Sequence, residues 1–191
     1  MGVASRRWVH HQSAPRKKGA DGEAEATGRN PTDRGKSGSK RHLLTEGKGV
    51  PVATVLSGAN RHDMKKLADL LDATVVERPA VPEDAPADDR PHLCLDRGYD
   101  YDACREAAIA HGYTPHIPPK ASEAQPLPPP GDPARHPPRR WVVEASHSWF
   151  NRFRRLLIRW EKRADTYLGF VQLAATLIVY RKLRHARLLS G

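Results

Sequence analysis

The chain has 191 residues, of which 38% are hydrophobic, and it carries a formal net charge of +10. This length suits one domain with tails, or a fragment of something larger, and the positive excess favours a polyanionic partner such as nucleic acid or an anionic membrane surface. A membrane protein is disfavoured, because the longest apolar run, 167–180, is shorter than the ~20 residues of a membrane span and contains Gln172 and Thr176.

The N-terminal half predicts irregular chain followed by a hairpin and a helix. Residues 1–39 are predicted to be an irregular basic segment, because Gly, charged and turn residues leave few apolar side chains to bury. Within 40–60, two apolar and β-branched runs joined by Gly-Lys-Gly predict a β-hairpin. In 60–75, apolar residues recur at the i, i+3, i+6 and i+7 positions of an amphipathic helix.

The middle of the chain alternates short elements with loops. An acidic, Pro-rich loop (77–91) precedes a buried strand at 92–96, a helix at 101–112 and a short strand at 113–118. Nine of the 17 prolines then fall within 118–138, which predicts a solvated loop. Two cysteines without metal-ligand spacing indicate a reduced, cytosolic compartment.

Two helices are predicted near the C-terminus. The first begins near Trp141, because five apolar residues lie within about 40° of one line at ~100° per residue, namely Val142, Trp149, Phe153, Leu156 and Trp160. The tryptophans are expected to be core or core-edge anchors, with base stacking as the alternative. A second helix covers 166–185, before a tail at 186–191. This order predicts an α/β domain over 40–185, with one sheet covered by helices.

Two carboxylates, Asp96 and Glu144, are candidates for chemistry. Asp96 ends the predicted strand, where ligands bind in open α/β sheets, although the same residue could simply begin the "RGYD" turn. Glu144 lies in the first turn of its helix, away from the apolar stripe, where an acid also complements the helix dipole. Two carboxylates from different elements can share Mg²⁺ ions, and two such ions stabilise both oxygens of phosphodiester transfer.

The end of the chain is strongly basic. Residues 139–191 carry 12 Lys and Arg against three acids. Four arginines that follow Glu144 are therefore candidates for contacts with DNA phosphates: Arg152, Arg154, Arg155 and Arg159.

Five motifs resemble, in order, the catalytic part of bacterial insertion-sequence transposases of the IS4/IS5 type. They are "TGRNPTDRGKSGSKRHLL", "LSGANRHD", "LDRGYDYDACR", "RRWVVEASHSWFNRFRRLLIRWEKRAD" and "FVQLAATLIVYR", and the resemblance covers roughly residues 14–183. It implies a ribonuclease-H-like fold, in which helices flank a mixed sheet. It also implies an Asp-Asp-Glu triad that uses Mg²⁺ or Mn²⁺, with two ions in an intact site, to cut element ends and join them to target DNA.

The resemblance assigns two of the three acids. It makes Asp96 in "LDRGYD" the second acid and Glu144 in "WVVE" the third, and both would be metal ligands. The family usually has Arg-Thr after this Glu, whereas this chain has Ala145-Ser146, a departure expected to weaken phosphate or structural contacts there.

The first acid of the triad is absent from the expected place. In the family it lies on a strand a few residues before the stretch matching 14–18, but "SRRWVHHQS" at 5–13 contains neither Asp nor Glu. Asp21 and Asp33 are the nearest acids, and neither has a strand-like context. We therefore expect the first strand to be missing or degenerate, and the chain to be N-terminally truncated relative to the family or to be its downstream reading frame.

The resemblance implies a DNA transposase with an incomplete triad. Its expected partner is DNA, at element ends and target, and its expected location is the bacterial cytoplasm at the nucleoid, with a homo-oligomer as an option and no membrane association. Whether this chain alone is an enzyme stays open. One alternative is a non-catalytic DNA-binding remnant that interferes with intact transposase, and another is a pseudogene product that folds poorly.

Overall fold

A computed structural model of the chain describes residues 2–11, 26–31, 34–76, 90–119 and 140–189. In these residues one mixed sheet has helices packed on both faces, which confirms the predicted α/β class. The two predicted proline-rich loops lie almost wholly outside the described residues.

Seven strands form the sheet, and they are β1 (Gly2–His11), β2 (Gly28–Arg29), β3 (Ser37–Thr45), β4 (Pro51–Gly58), β5 (His92–Cys94), β6 (Thr114–His116) and β7 (Ile158–Arg159). The first strand is central. It pairs antiparallel with β3 on one side and parallel with β5 and β7 on the other. Beyond β3 lie β4 and β2, both antiparallel to it, and beyond β5 lies the parallel β6.

The central strand β1 corrects the sequence-based expectation. Residues up to 39 were expected to be irregular and the first strand to be missing or degenerate, yet Gly2–His11 form a ten-residue strand. The sequence "GVASRRWVHH" lacks the apolar alternation of a strand. Its conformation follows instead from ladder pairing with three neighbouring strands, which is a long-range property of the fold.

The hairpin of β3 and β4 confirms the prediction for residues 40–60. Its register runs from Ser39 opposite Gly58 to Thr45 opposite Pro51. The connecting turn closes through the Gly49 N–H, which donates to the Glu46 carbonyl oxygen at 2.9 Å. Gly49 has a φ of +84°, a left-handed conformation that favours glycine.

Five α-helices lie in the described residues, and they are α1 (Leu67–Asp72), α2 (Asp102–Ala110), α3 (Arg140–Asn151), α4 (Arg154–Leu157) and α5 (Ala164–Leu189). A 3-10 turn at Asp63–Lys66 leads into α1. The last helix continues to Leu189, four residues past the predicted end at 185.

The apolar stripe predicted from Val142 to Trp160 does not lie on one continuous helix. The helix α3 ends at Asn151, because the chain turns at Arg152 and becomes extended at Phe153, with φ −88° and ψ 105°. Trp160 therefore lies after β7 and is 57% exposed. Trp141 is 66% exposed, so neither tryptophan is the core or core-edge anchor that was expected.

The sheet separates two apolar cores, and adjacent residues of β3 face opposite ways. Leu44 packs with β5 and with helices α1 and α2, in a core that includes Leu70 and Leu93. Leu43 packs instead with α3 and α5, in a core that includes Val143 and Val171. The α3 helix therefore covers one face of the sheet. No helix among the described residues is long and apolar enough to cross a membrane.

Candidate active site

Asp96 follows β5 on the face of the sheet that α3 covers. Its backbone is extended, with φ −81° and ψ 169°, so the alternation of the strand continues through it. Leu93 and Leu95 both pack in the core on the α1 and α2 side. Because successive residues point to opposite faces, Asp96 lies on the α3 side, half-buried.

The turn after Asp96 fixes its carboxylate. The Gly98 N–H donates a hydrogen bond of 2.7 Å to Asp96 Oδ1, which caps the short 3-10 turn at Arg97–Tyr99. A Cβ on Gly98 would lie 2.8 Å from the same oxygen, closer than ordinary contacts allow. The absence of a side chain at position 98 therefore allows the Asp96 carboxylate to pack against the turn, where the backbone N–H of Gly98 holds Oδ1.

Glu144 lies on the exposed side of α3. The helix buries Val143 and Phe150 against the sheet, and Glu144 is solvent-exposed on another face. The helix packs against the central strand β1 and against β3. The buried face of α3 therefore sets the position of the helix in the fold, and Glu144 lies beside that face, exposed to solvent.

The hairpin turn packs against α3 at Val142 and Ser146. The Ser146 hydroxyl donates to the Gly49 carbonyl oxygen at 2.6 Å and also lies 2.9 Å from the Val142 carbonyl oxygen. A Cβ on Gly49 would lie 2.9 Å from Ser146 Oγ, so the helix is seated directly on this turn. Ser146 stands where the family usually has Thr, and its hydroxyl still makes a buried structural contact.

The end of α3 is held by a buried arginine of β3. Arg41 Nη2 donates to Asn151 Oδ1 at 3.0 Å, and its guanidinium lies 5.8 Å from the centre of the Phe150 ring. This contact holds the C-terminal end of the helix that carries Glu144, and the Ser146 contact holds its middle. Sequence reasoning did not single out Arg41, because a buried arginine cannot be told from a surface one by its local pattern.

The β1–β5 ladder relates the start of β1 to the end of β5. Gly2 pairs with Cys94, and Ala4 and Asp96 each come two residues after this pair, with Asp96 beyond the end of β5. Ala4 is opposite Leu43 of β3, the residue that packs with α3. The start of β1 therefore lies between the strand that leads to Asp96 and the strand on which α3 packs.

A third acid does not join this pair in the part of the chain that is described. No three His, Cys, Asp or Glu residues there are close enough to hold a metal ion. The strand β1 contains no acid, and position 4 is alanine. No described carboxylate therefore completes a triad with Asp96 and Glu144.

Arg159 is not accessible for the phosphate contact predicted for it. Its side chain is fully buried, and it donates hydrogen bonds to Ser39 Oγ at 2.5 Å and to the backbone carbonyl oxygens of Glu161 and Ala26. These bonds join the segment after β7 to the sheet. The structure therefore gives Arg159 a structural role.

The other three arginines lie at the surface. Arg152 is exposed between α3 and α4, and Arg154 is exposed at the first position of α4. Arg155 is exposed as well, but it donates to Glu161 Oε1 at 2.9 Å and lies over the Phe170 ring. Their contact with DNA remains a prediction, and Arg155 would have to share its charge with Glu161.

Comparisons with known proteins show the family to which the chain belongs. The family profile "Transposase DDE domain" matches residues 6–179. The chain belongs to the DDE-domain transposase family. A Burkholderia cepacia protein assigned as a transposase for insertion sequence element IS402 is 38% identical over 169 residues, which cover 84% of this chain and 71% of that protein. No solved structure was found to match. Transposases of this family generally use divalent metal ions, and the transposase domain here spans β1 to α5.

Proposed function

We propose that the chain is a DNA transposase domain of the IS4/IS5 type, whose reaction is metal-dependent strand cleavage and transfer at insertion-sequence ends. The observation that carries the proposal is the placement of Asp96 and α3 on one face of the sheet, in a chain of the DDE-domain family. Asp96 follows the carboxyl end of a parallel strand, where open α/β sheets bind their ligands.

The sheet supports a ribonuclease-H-like architecture. Its central strand has antiparallel neighbours on one side and parallel neighbours on the other, with helices on both faces. An acid after a strand next to the centre and an acid on a covering helix agree with the second and third positions of an Asp-Asp-Glu triad. The family resemblance supplies this correspondence, and the topology is compatible with it.

The two acids fit part of a metal site. Carboxylate oxygens are the ligands that Mg²⁺ and Mn²⁺ prefer, and Asp96 with Glu144 would hold such ions. When bound, a pair of these ions stabilises the attacking and leaving oxygens of phosphodiester transfer. The strand β1 contains neither Asp nor Glu, so this chain would bind the ions with one carboxylate fewer than the resemblance implies for the family.

The arginines at the surface would hold the DNA backbone. Arg152, Arg154 and Arg155 lie on the segment that directly follows α3. Phosphate contacts from such residues position a duplex without reading its sequence, and their strength falls with salt concentration. They would orient the scissile strand relative to Glu144.

A second function is favoured by the absence of an acid from β1. A non-catalytic DNA-binding protein would keep the surface arginines and the fold, and it would need no carboxylate at position 4. Such a protein could occupy element ends and interfere with an intact transposase. It predicts salt-dependent DNA binding that is unchanged by Asp96→Asn.

The two functions are separated by restoring an acid to the central strand. Ala4→Asp adds a carboxylate at the position that would lie next to Asp96 if the register of the Gly2–Cys94 pair continued, and Ala4→Asn is the matched control without charge. We expect A4D, with Mg²⁺, to nick a plasmid carrying the DNA that flanks the gene, and A4N and wild type to nick it far less. Cleavage by A4D should disappear in A4D/E144Q. Equal cleavage by A4D and A4D/E144Q would refute the assignment of Glu144, and binding without cleavage by every variant would favour the second function.

A further inference from the structure

We propose that His92 and His116 form a binding site for a transition-metal ion such as Zn²⁺ or Ni²⁺. The site joins two neighbouring strands of the sheet, β5 and β6, and its ligands are ring nitrogens. It goes beyond the proposed function, because it requires neither DNA nor the carboxylates of Asp96 and Glu144. Failure of DNA cleavage would therefore leave the metal site unaffected.

The strand register places the two histidines on one face of the sheet. His92 begins β5 and His116 ends β6, and in the parallel ladder between these strands His116 is paired with Cys94. His92 and Cys94 are two residues apart and therefore point to the same face, and so does the partner of Cys94. Leu93, between them, is buried in the core on the other face. The two imidazoles thus meet outside that core, with His92 exposed and His116 half-buried.

The two rings direct one nitrogen each at the same point. His92 Nδ1 and His116 Nε2 are 2.6 Å apart, and the ring centres are 4.8 Å apart. Only one proton can lie between these nitrogens, because the nitrogen that accepts it must carry a lone pair. A metal ion can take the place of that proton and bind a lone pair from each ring. The two strands therefore present a pair of ligands that are already directed at one position.

The rings need to move little to admit an ion. Zn²⁺ binds histidine nitrogen at about 2.0–2.1 Å, so two such nitrogens on a tetrahedral ion lie about 3.3 Å apart. The distance of 2.6 Å between the two nitrogens therefore has to lengthen by roughly 0.7 Å. A rotation of the exposed His92 side chain is enough for a movement of this size.

Imidazole ligands select the class of ion. Histidine nitrogen suits Zn²⁺, Ni²⁺ and Cu²⁺, whereas Mg²⁺ and Mn²⁺ favour carboxylate and carbonyl oxygens. The site is thus chemically different from the one assigned to Asp96 and Glu144. Within the described ranges no three His, Cys, Asp or Glu residues are grouped to hold a metal, so the pair is a two-ligand chelate and water completes the coordination. An ion held in this way binds less tightly than structural zinc, which has four protein ligands.

A bound ion would fasten the edge of the sheet. In the described sheet β6 is the outermost strand on this side, and its ladder with β5 is only three residues long. A metal link between side chains of the two strands exists in the folded chain and not in the unfolded one. Metal binding therefore stabilises the strand pair that leads to Asp96.

Calorimetric titration of the full chain, without a histidine tag, with Zn²⁺ tests the proposal. The variants are H92Q, H116Q and the double variant H92Q/H116Q. The matched control is H111Q, which also removes one histidine, but one whose ring nitrogens contact Asp72 and the Ala107 carbonyl oxygen. Zinc has no redox chemistry, so it does not oxidise the two free cysteines. Mg²⁺ is the comparison ion.

The expected pattern is that of a chelate. H92Q and H116Q should each bind Zn²⁺ about 100-fold more weakly than wild type, since joining two weak sites raises affinity by about 10²–10⁴. The double variant should lose far less than the sum of the two single losses, because either substitution alone destroys the chelate. H111Q should bind as wild type does, and Mg²⁺ should not compete.

Urea unfolding gives a second, independent measurement. At a free Zn²⁺ concentration about 100 times the wild-type Kd, the unfolding equilibrium constant of wild type should fall about 100-fold. In H92Q the same Zn²⁺ concentration should lower it by no more than about twofold, because the ion then only matches the weakened Kd.

Two results would overturn the proposal. If H92Q binds Zn²⁺ with the wild-type affinity, the histidine pair is not the ligand set. If H111Q loses as much affinity as H92Q does, zinc binding is a general property of the histidines and not of this pair. Because His92 is exposed, H92Q should unfold at the wild-type urea concentration in the absence of metal, so it decides the test even where H116Q folds poorly.

Discussion

The contribution to stability of the contact between α3 and the hairpin turn can be measured by replacing three glycines with alanine, one at a time. Gly49 has φ +84°, and a Cβ there would lie 2.9 Å from Ser146 Oγ and 3.2 Å from both the Val142 carbonyl oxygen and Trp149. Alanine in the left-handed region costs roughly 1–2 kcal/mol, and forcing a methyl group into a packed contact costs roughly 1–3 kcal/mol more. Gly49→Ala should therefore lower the free energy of unfolding by about 2–5 kcal/mol.

Two other glycines isolate the separate contributions. Gly35 has φ +72° but nothing within 4 Å of an added Cβ, so Gly35→Ala should cost only the backbone part, roughly 1–2 kcal/mol. Gly47 has open space and no such φ, so Gly47→Ala should be neutral or slightly stabilising. Urea unfolding followed by circular dichroism gives all three values. If Gly49→Ala costs no more than Gly35→Ala, α3 is not seated on the turn, and the argument for how Glu144 is positioned fails.

Two further predictions concern buried polar groups. Arg159→Met should lower the free energy of unfolding in urea by about 3–5 kcal/mol, because the hydrogen bonds to Ser39 and to backbone carbonyl oxygens are removed. The exposed control Arg154→Met should change it by no more than about 0.5 kcal/mol. An Arg159→Met variant that is as stable as wild type but binds DNA poorly would contradict the structural role. Burial lowers the pKa of His42 from 6.5 to about 4. As pH falls, the unfolded chain therefore protonates His42 before the folded chain does. The free energy of unfolding has its full value above pH 6.5, and it falls by on the order of 3 kcal/mol between pH 6.5 and 4. His42→Gln should flatten this loss relative to wild type, and parallel pH profiles would refute the assignment.

Local patterns predicted the hairpin and the helices well. The β-branched runs around Gly47-Lys48-Gly49 and the apolar content of the helix predicted at 166–185 are properties of neighbouring residues, and the structure has β3, β4 and α5 there. The central strand was missed because its residues carry no apolar alternation and its partners lie 28 to 148 residues away along the chain. The apolar periodicity also continues past Asn151, where the helix ends, because a pattern of side chains contains no information about the extended backbone at Phe153.

The candidate site was predictable only in its acids. Asp96 and Glu144 could be chosen from their positions after a strand and at the start of a helix, whereas the side of the sheet that α3 covers is known only from the packing of the fold. The burial of Arg159 depends on Ala26 and Ser39, more than a hundred residues earlier, so its sequence context gave no sign of it. The domain boundaries at 39, 40–185 and 186 remain predictions.

Losing the acid of β1 need not weaken the fold. The strand is held by backbone pairing, which is the same for alanine and aspartate at position 4. If the register of the Gly2–Cys94 pair continues, a carboxylate at position 4 lies next to Asp96, and two like charges at one site repel each other in the absence of a cation. Ala4→Asp should therefore unfold at lower urea concentration than wild type without metal, and Mg²⁺ should restore its stability by binding the folded state. Wild type should respond to Mg²⁺ much less, and A4N should resemble wild type. If Mg²⁺ stabilises A4D no more than A4N, position 4 is not part of a site with Asp96, and the absence of an acid from β1 does not explain an incomplete triad.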